Sequence, residues 1–196
     1  RFDPGMLYYA PQAWTSDDTD ASQRVLIQYG SSYVYPLSSI GSHVSACPNH
    51  QTFRSLPLKM RGDVAYFGTF GYELDPAKLS EEEKQQIQEQ IAEFKKYYDV
   101  IHFGNYYRLT NAMEEGPYAA WEFAKEDGSE ALVSVVASRV RTNDPGVRIK
   151  LRGLKENQIY LVNGEEYPGG ALMHGGLLLE EAKKEYQSWN YHIVMK

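Results

Sequence analysis

From Val25 to Phe53 the chain runs 29 residues without an aspartate, glutamate, lysine or arginine. A stretch that uncharged is poorly solvated if left in water, so it is expected to lie inside a larger structure. The contrast with the remainder is sharp: residues 1–53 hold six of the 46 charges, and the other 143 residues hold 40. Polar residues, among them Gln28, Ser31, Ser38, His43 and Asn49, break every apolar run short of the ~20 residues that a membrane helix needs. The net charge of −6 argues against a nucleic-acid partner, which requires a cationic surface to displace counterions from phosphates.

The opening, Arg1-Phe2-Asp3-Pro4-Gly5, has neither the basic nor the apolar region of a signal peptide. An abrupt, charge-poor start is read as a piece of a larger protein whose neighbours cover it. The single cysteine, Cys47, leaves no intramolecular disulfide and no cysteine-cluster metal site, which fits a reducing, cytoplasmic compartment.

Along the chain, residues 6–14 form an apolar, strand-like stretch interrupted by Pro11. Asp20 is a good N-cap with Gln23 three residues on, so a helix is predicted from there, with Val25, Leu26 and Tyr29 as its apolar face and Gly30 as its stop. A short strand is predicted over 32–37, a Gly- and Ser-rich loop over 38–51, and a helix over 56–66. Arg61-Gly62-Asp63 falls in that helix, where a structural role is expected and not an adhesion signal. The next helix starts at Ser80, with Glu83 closing a capping box and Ile87, Ile91, Phe94 and Tyr98 spaced along one face.

After residue 105 the period becomes alternating, with strands predicted at 119–125, 130–139, 147–151, 158–162 and 188–195. Turn signals separate them at Asp127-Gly128, at Asn143-Asp144-Pro145-Gly146 and at Asn163-Gly164. The first region therefore reads as strand–helix units of a parallel sheet, and the second as an antiparallel sandwich.

Three carboxylates, Asp17, Asp18 and Asp20, stand where a strand gives way to a helix. In parallel α/β architectures that is the carboxyl end of a strand, where ligands bind. Neighbours on extended backbone point to opposite faces, so one of Asp17 and Asp18 faces a site while the other braces the loop. Spacing alone leaves three readings open: helix capping, a catalytic carboxylate, and a hard-cation site. Trp14 either stacks on a sugar face or fills the core. His43, Asn49 and His50 line a site or serve the structure, since no serine or cysteine joins them in a nucleophile motif. Trp121 and Trp189 are expected in the core.

The segments Arg-Phe-Asp-Pro-Gly-Met-Leu-Tyr-Tyr, Pro-Gln-x-Trp-Thr-Ser-Asp-Asp-Thr-Asp-Ala and Phe-Gly-Thr-Phe-Gly-Tyr-Glu-Leu closely resemble the family 36 glycoside hydrolases, the larger microbial α-galactosidases. The stretches Ser38-Ser39-Ile40-Gly41-Ser42-His43-Val44-Ser45 and Pro48-Asn49-His50-Gln51-Thr52 match as well. The resemblance is dense over residues 1–110 and thin beyond. It implies the last part of a (β/α)8 TIM barrel over residues 1–108, followed by a C-terminal antiparallel β-sandwich over 109–196. It implies Asp17 as general acid/base and a second carboxylate as nucleophile, with the two ~5 Å apart for retention. It raises Trp14 as a wall of the sugar site, with Asp18 beside it in substrate binding.

The family's nucleophile, in a Lys-Trp-Asp motif, and its Cys-Ser-Gly-Gly-Gly-Gly loop are absent from this chain. Asp3 is expected to be structural. The resulting expectation is a fragment of a retaining α-galactosidase, inactive alone, acting when whole on galactose-containing oligosaccharides. No metal or organic cofactor is implied, and the full-length protein is expected to be a homo-oligomer. Two rivals stand beside it: a non-catalytic carbohydrate-binding or scaffold module, and a galactosyl-transferring relative of the same family.

Overall fold

The computed structural model describes residues 3–114, 116–140 and 146–196. The chain divides into two units, residues 1–96 and 97–196.

In the first unit, Asp3 caps a short 3-10 helix, Pro4–Tyr8, by accepting from the Gly5 amide at 2.7 Å. The predicted strand over 6–14 is thus helical at its start, because Pro4 fixes a helical φ at the first position. Only its far end pairs: Ala13 makes a parallel bridge to Ile40. Helix α1, Ala21–Ser31, follows, and strand β1, Gly41–Ser45, lies where a loop was predicted. The strand predicted over 32–37 is turn and bend, ending in a 3-10 turn at Leu37–Ser39. Small polar residues, Ser42 and Ser45, hide β1 from a hydrophobicity pattern.

Helix α2, Leu58–Ala65, connects β1 to strand β2, Thr69–Glu73, which pairs with β1 in parallel, Gly41 opposite Thr69 and Ser45 opposite Glu73. Val44, Leu58 and Ala65 form the buried centre between sheet and helix, with Phe70, Tyr72, Leu74 and Ile87 against it. Arg61 and Asp63 are buried in α2, and Arg61 donates to the carbonyls of Leu56 and Ser45 at 3.1 and 2.7 Å, so Arg61-Gly62-Asp63 is internal scaffold.

The inner face of α1 differs from the predicted apolar one: Ala21, Arg24, Val25 and Gln28 are buried, while Leu26 and Tyr29 are only partly so. Gln28 is tolerated there because its amide is spent, donating to the Val64 carbonyl at 3.0 Å and accepting from Ser42 Oγ at 3.1 Å.

Helix α3, Glu81–Phe103, opens on the predicted capping box: the Ser80 amide donates to Glu83 and the Glu83 amide to Ser80 Oγ, at 3.0 and 3.2 Å. Its buried line runs through Gln90, Phe94, Tyr97, Val100 and Ile101, whereas Tyr98 is 44 % exposed. Gln90 is carried inside because its side chain bonds the Leu58 carbonyl and the Tyr72 hydroxyl.

The second unit is built on one antiparallel sheet of six strands in the order β3-β4-β5-β10-β7-β8. They are β3 (Asn105–Arg108), β4 (Tyr118–Ala124), β5 (Glu130–Ala137), β7 (Ile159–Val162), β8 (Glu165–Pro168) and β10 (Gln187–Met195). A two-stranded ribbon joins β6, Arg148–Ile149, to β9, Leu177–Leu178. Strand β3 hydrogen-bonds to β4, so residues 105–108, placed ahead of the expected boundary, share the second unit's sheet. The β7–β8 hairpin turns on Asn163 and Gly164, both at positive φ, as the Asn-Gly signal predicts. The turn predicted at 143–146 lies outside the described residues, apart from Gly146. Trp121 is buried, and Trp189 packs on the core while its Nε1 donates to Glu180 at 2.8 Å.

Candidate active site

The residues with chemistry cluster at one end of the parallel strands of the first unit. The chain leaves the Ala13 bridge, turns through residues 15–20 and enters α1. That turn is built from its own side chains. Ser16 Oγ accepts from the Asp18 amide at 3.1 Å, and Asp18 Oδ1 accepts from the Asp20 amide at 2.9 Å.

Beneath the turn lies Arg24, which is 2 % exposed. Its guanidinium donates to the Gly41 carbonyl at 3.0 Å, to Thr15 Oγ1 at 3.3 Å and to the Ser16 carbonyl at 3.4 Å. Burial pulls its pKa down while the nearby Asp18 carboxylate opposes that pull. The charge-poor stretch is therefore anchored by an arginine just ahead of it. An inward-facing position four residues after the N-cap is the signal in the sequence that could have found this side chain.

Asp20 closes the turn. It accepts from the Ser22 amide and hydroxyl at 2.9 and 2.8 Å, from Thr52 Oγ1 at 2.6 Å, and from the Arg54 guanidinium. Burial pushes its carboxyl up, but the hydrogen bonds from Thr52 and Ser22, with the Arg54 charge, outweigh that and hold it below the usual range. The loop after β1 is thus tied to the turn before α1. Asn49 completes the tie, with its side-chain nitrogen on Thr19 Oγ1 at 3.0 Å and its oxygen taking the amides of Gln51 and Thr52.

Asp17 and Asp18 separate as alternation predicts. Asp18 is half-buried and braces the turn toward Arg24; Asp17 is exposed, and no described residue donates to its carboxylate. The three aspartates do not converge, and among the described residues no group of three His, Cys, Asp or Glu side chains is placed to hold a metal ion.

Trp14 stands next to the turn, 48 % exposed, with its indole stacked on the His43 imidazole at 4.6 Å between centroids and 28° between planes. His43 Nε2 approaches Glu73 Oε2 at 3.0 Å, too far off line for a full hydrogen bond. Burial lowers the His43 pKa, and the Arg24 charge adds to this against the opposing pull of Glu73. The imidazole is therefore neutral near pH 7. Asn49 is scaffold, and His50 is exposed. Arg24 and Arg54 join the site without any motif that announces them, and Thr52 and Glu73 join it from matched segments that assign them no role.

Comparison with known proteins identifies the family. Residues 1–104 match the Melibiase family and residues 118–193 the glycosyl hydrolase family 36 C-terminal domain. The bifunctional alpha-galactosidase/sucrose kinase AgaSK of Mediterraneibacter gnavus is 50 % identical over 193 residues, covering 97 % of this chain and 20 % of that protein. Alpha-galactosidase AgaA of Geobacillus stearothermophilus is 48 % identical over 194 residues, covering 98 % of this chain and 26 % of its own length. The crystal structure of the family 36 alpha-galactosidase AgaB from the same organism superposes with a TM-score of 0.96 at 48 % identity, over 100 % of this chain and 27 % of that one. The chain thus spans about a fifth to a quarter of the relatives it matches. With both of its regions matched in order by that family's models, the chain belongs to glycoside hydrolase family 36.

Proposed function

We propose that this chain is the part of a retaining α-galactosidase that carries the general acid/base, Asp17. In this reading residues 1–108 are the last units of a (β/α)8 barrel, and residues 109–196 form a C-terminal β-sandwich. The observation that carries it is the exposed Asp17 carboxylate at the end of a parallel strand, on a turn held by Arg24 from below and by Asp18 and Asp20 on its own chain.

A group with that placement protonates the departing glycosidic oxygen and then takes a proton from the attacking water. The nucleophile comes from the rest of the longer protein, ~5 Å from Asp17 in the intact site. Trp14 lies against the apolar side of the galactose ring, and Asp18 offers its second oxygen to a sugar hydroxyl while the first braces the turn.

The substrates of this reading are galactose-containing oligosaccharides. A structure of Geobacillus AgaA holds raffinose, and another holds stachyose. Exposed Tyr8, Tyr9, Tyr33 and Val34 support burial of this unit by the rest of the protein or by further copies in a homo-oligomer. Cytoplasmic action is the accompanying proposal.

The test is Asp17→Asn in the full-length protein that carries this chain. Aryl α-galactosides with good leaving groups need little proton donation, so they should lose far less in the first chemical step than melibiose or raffinose. Equal losses across the series would remove Asp17 from the acid role.

A further inference from the structure

Strand alternation sorts β1 and β2 into two faces. On β1, Ser42 bonds Gln28 of α1 and Val44 packs with Leu58 and Ala65 of α2, so this face looks toward the helices. On β2, Phe70 and Tyr72 pack on the same side. The opposite face therefore carries Gly41 and His43 from β1 and Gly71 and Glu73 from β2.

Trp14 lies on that opposite face. One side of its indole rests on His43, and nearly half of the residue is exposed. Gly41 leaves the room for this seat: a Cβ there would stand 2.9 Å from Trp14 Cδ1 and 2.4 Å from Gln12 Nε2. The face combines one braced aromatic and a backing imidazole.

We propose that His43 is a positioning residue: its ring sets the plane in which Trp14 meets the sugar. This rests on the α-galactosidase reading and deepens it by giving the wall of the sugar site its support. An imidazole stacked at 4.6 Å presents a flat face to the indole, and its neutral form removes a charge from the stack. Arg24 and Glu73 are the charged groups around it, and Glu73 is the one in ion-pairing range. On this reading His43 acts through Trp14 and not on the reacting atoms, so its loss acts on binding.

The experiment uses the full-length protein with melibiose and raffinose. His43→Ala should raise KM about tenfold and leave kcat within about twofold. His43→Phe, which keeps a flat ring, should return KM to within about threefold of wild type, and His43→Gln, polar but without a ring, should not. If His43→Ala does not accumulate, the Phe–Gln comparison decides alone. A fall in kcat at constant KM, rescue by Gln and not by Phe, or wild-type KM in all variants would overturn the proposal. A wild type inactive on every α-galactoside overturns the functional reading and this inference together. An active wild type without the KM split overturns this inference alone.

Discussion

Arg54, at the end of the loop after β1, ion-pairs with Asp20, the residue that caps α1, and so fastens two successive strand–helix connections to each other. Asparagine caps a helix about as well as aspartate, so Asp20→Asn isolates the ion pair and the Thr52 bond from the capping itself. Asp20 is buried while Arg54 is partly exposed, so losing the charge costs about 1.5 kcal/mol, which opens the local structure about tenfold more often. Hydrogen exchange at the Ser22 and Thr52 amides should accelerate accordingly, with amides of the second unit unchanged. The native carboxyl titrates below its unfolded value, so its contribution is complete above about pH 4 and is lost as pH falls through the lower native pKa. The same two amides should therefore lose protection first on acidification.

Glu122, in β4, is fully buried, with Oε2 accepting from the Arg152 amide at 2.7 Å and Oε1 without a partner among the described residues. Burial pushes its pKa up to about 8, against the opposing Arg152 hydrogen bond and charge. A raised native carboxyl binds a proton that the unfolded chain has released, so stability falls as pH climbs from about 4.5 through 8. Glu122→Gln carries no charge to bury. Its melting temperature should lie near wild type at about pH 4, where the carboxyl is protonated in both states, and several degrees above it at pH 9. Parallel curves for the two proteins would show that Glu122 is not the source of the alkaline loss.

These two residues also show what the sequence could and could not reveal. Capping is a local event, so the role of Asp20 at the start of α1 and the Ser80–Glu83 box of α3 were legible from spacing alone. Strands β4, β5, β6, β7 and β10 were legible too, because hydrophobic alternation and turn residues mark them, whereas the short β3, β8 and β9 were not. Burial of Glu122, Arg24 and Gln28 was not, since each side chain finds a hydrogen-bond partner distant in sequence that no periodicity encodes. Strand β1 was missed for a related reason. Its Ser42 and Ser45 hydroxyls bond Gln28 and the Thr19 carbonyl, which makes a polar segment fit for the interior. At the candidate site, motif and alternation single out Asp17, Asp18 and Trp14, whereas Arg24 emerges only from its bonds to Gly41, Thr15 and Ser16, and Glu73 only once the parallel register brings β1 and β2 together.

Gly68 precedes β2, and a Cβ there would stand 2.1 Å from the Ile40 carbonyl oxygen and 2.9 Å from that of Leu37. Both are backbone atoms next to β1, and the Ile40 carbonyl already accepts from the Thr69 amide at 2.9 Å. No side-chain rotation relieves the clash, so Gly68→Ala must push the strands apart at their start, costing about 3 kcal/mol or more. A lowered melting transition for the first unit, with the second-unit sheet still protected from exchange, is the expected result. Wild-type melting would mean that the backbone there yields more freely than strand pairing allows.

Gly41→Ala tests the seat of Trp14 from the other side. Gln12 ends in a flexible amide that can swing away, but Trp14 Cδ1 belongs to a rigid ring pinned on His43, so the new methyl must tilt the indole. The strand itself loses little, because alanine adopts extended backbone without strain. Stability should therefore change by less than about 1 kcal/mol while KM for melibiose rises severalfold, as it does when the imidazole is removed. If Gly41→Ala melts like wild type and binds melibiose like wild type, the Trp14 indole is not a wall of the sugar site.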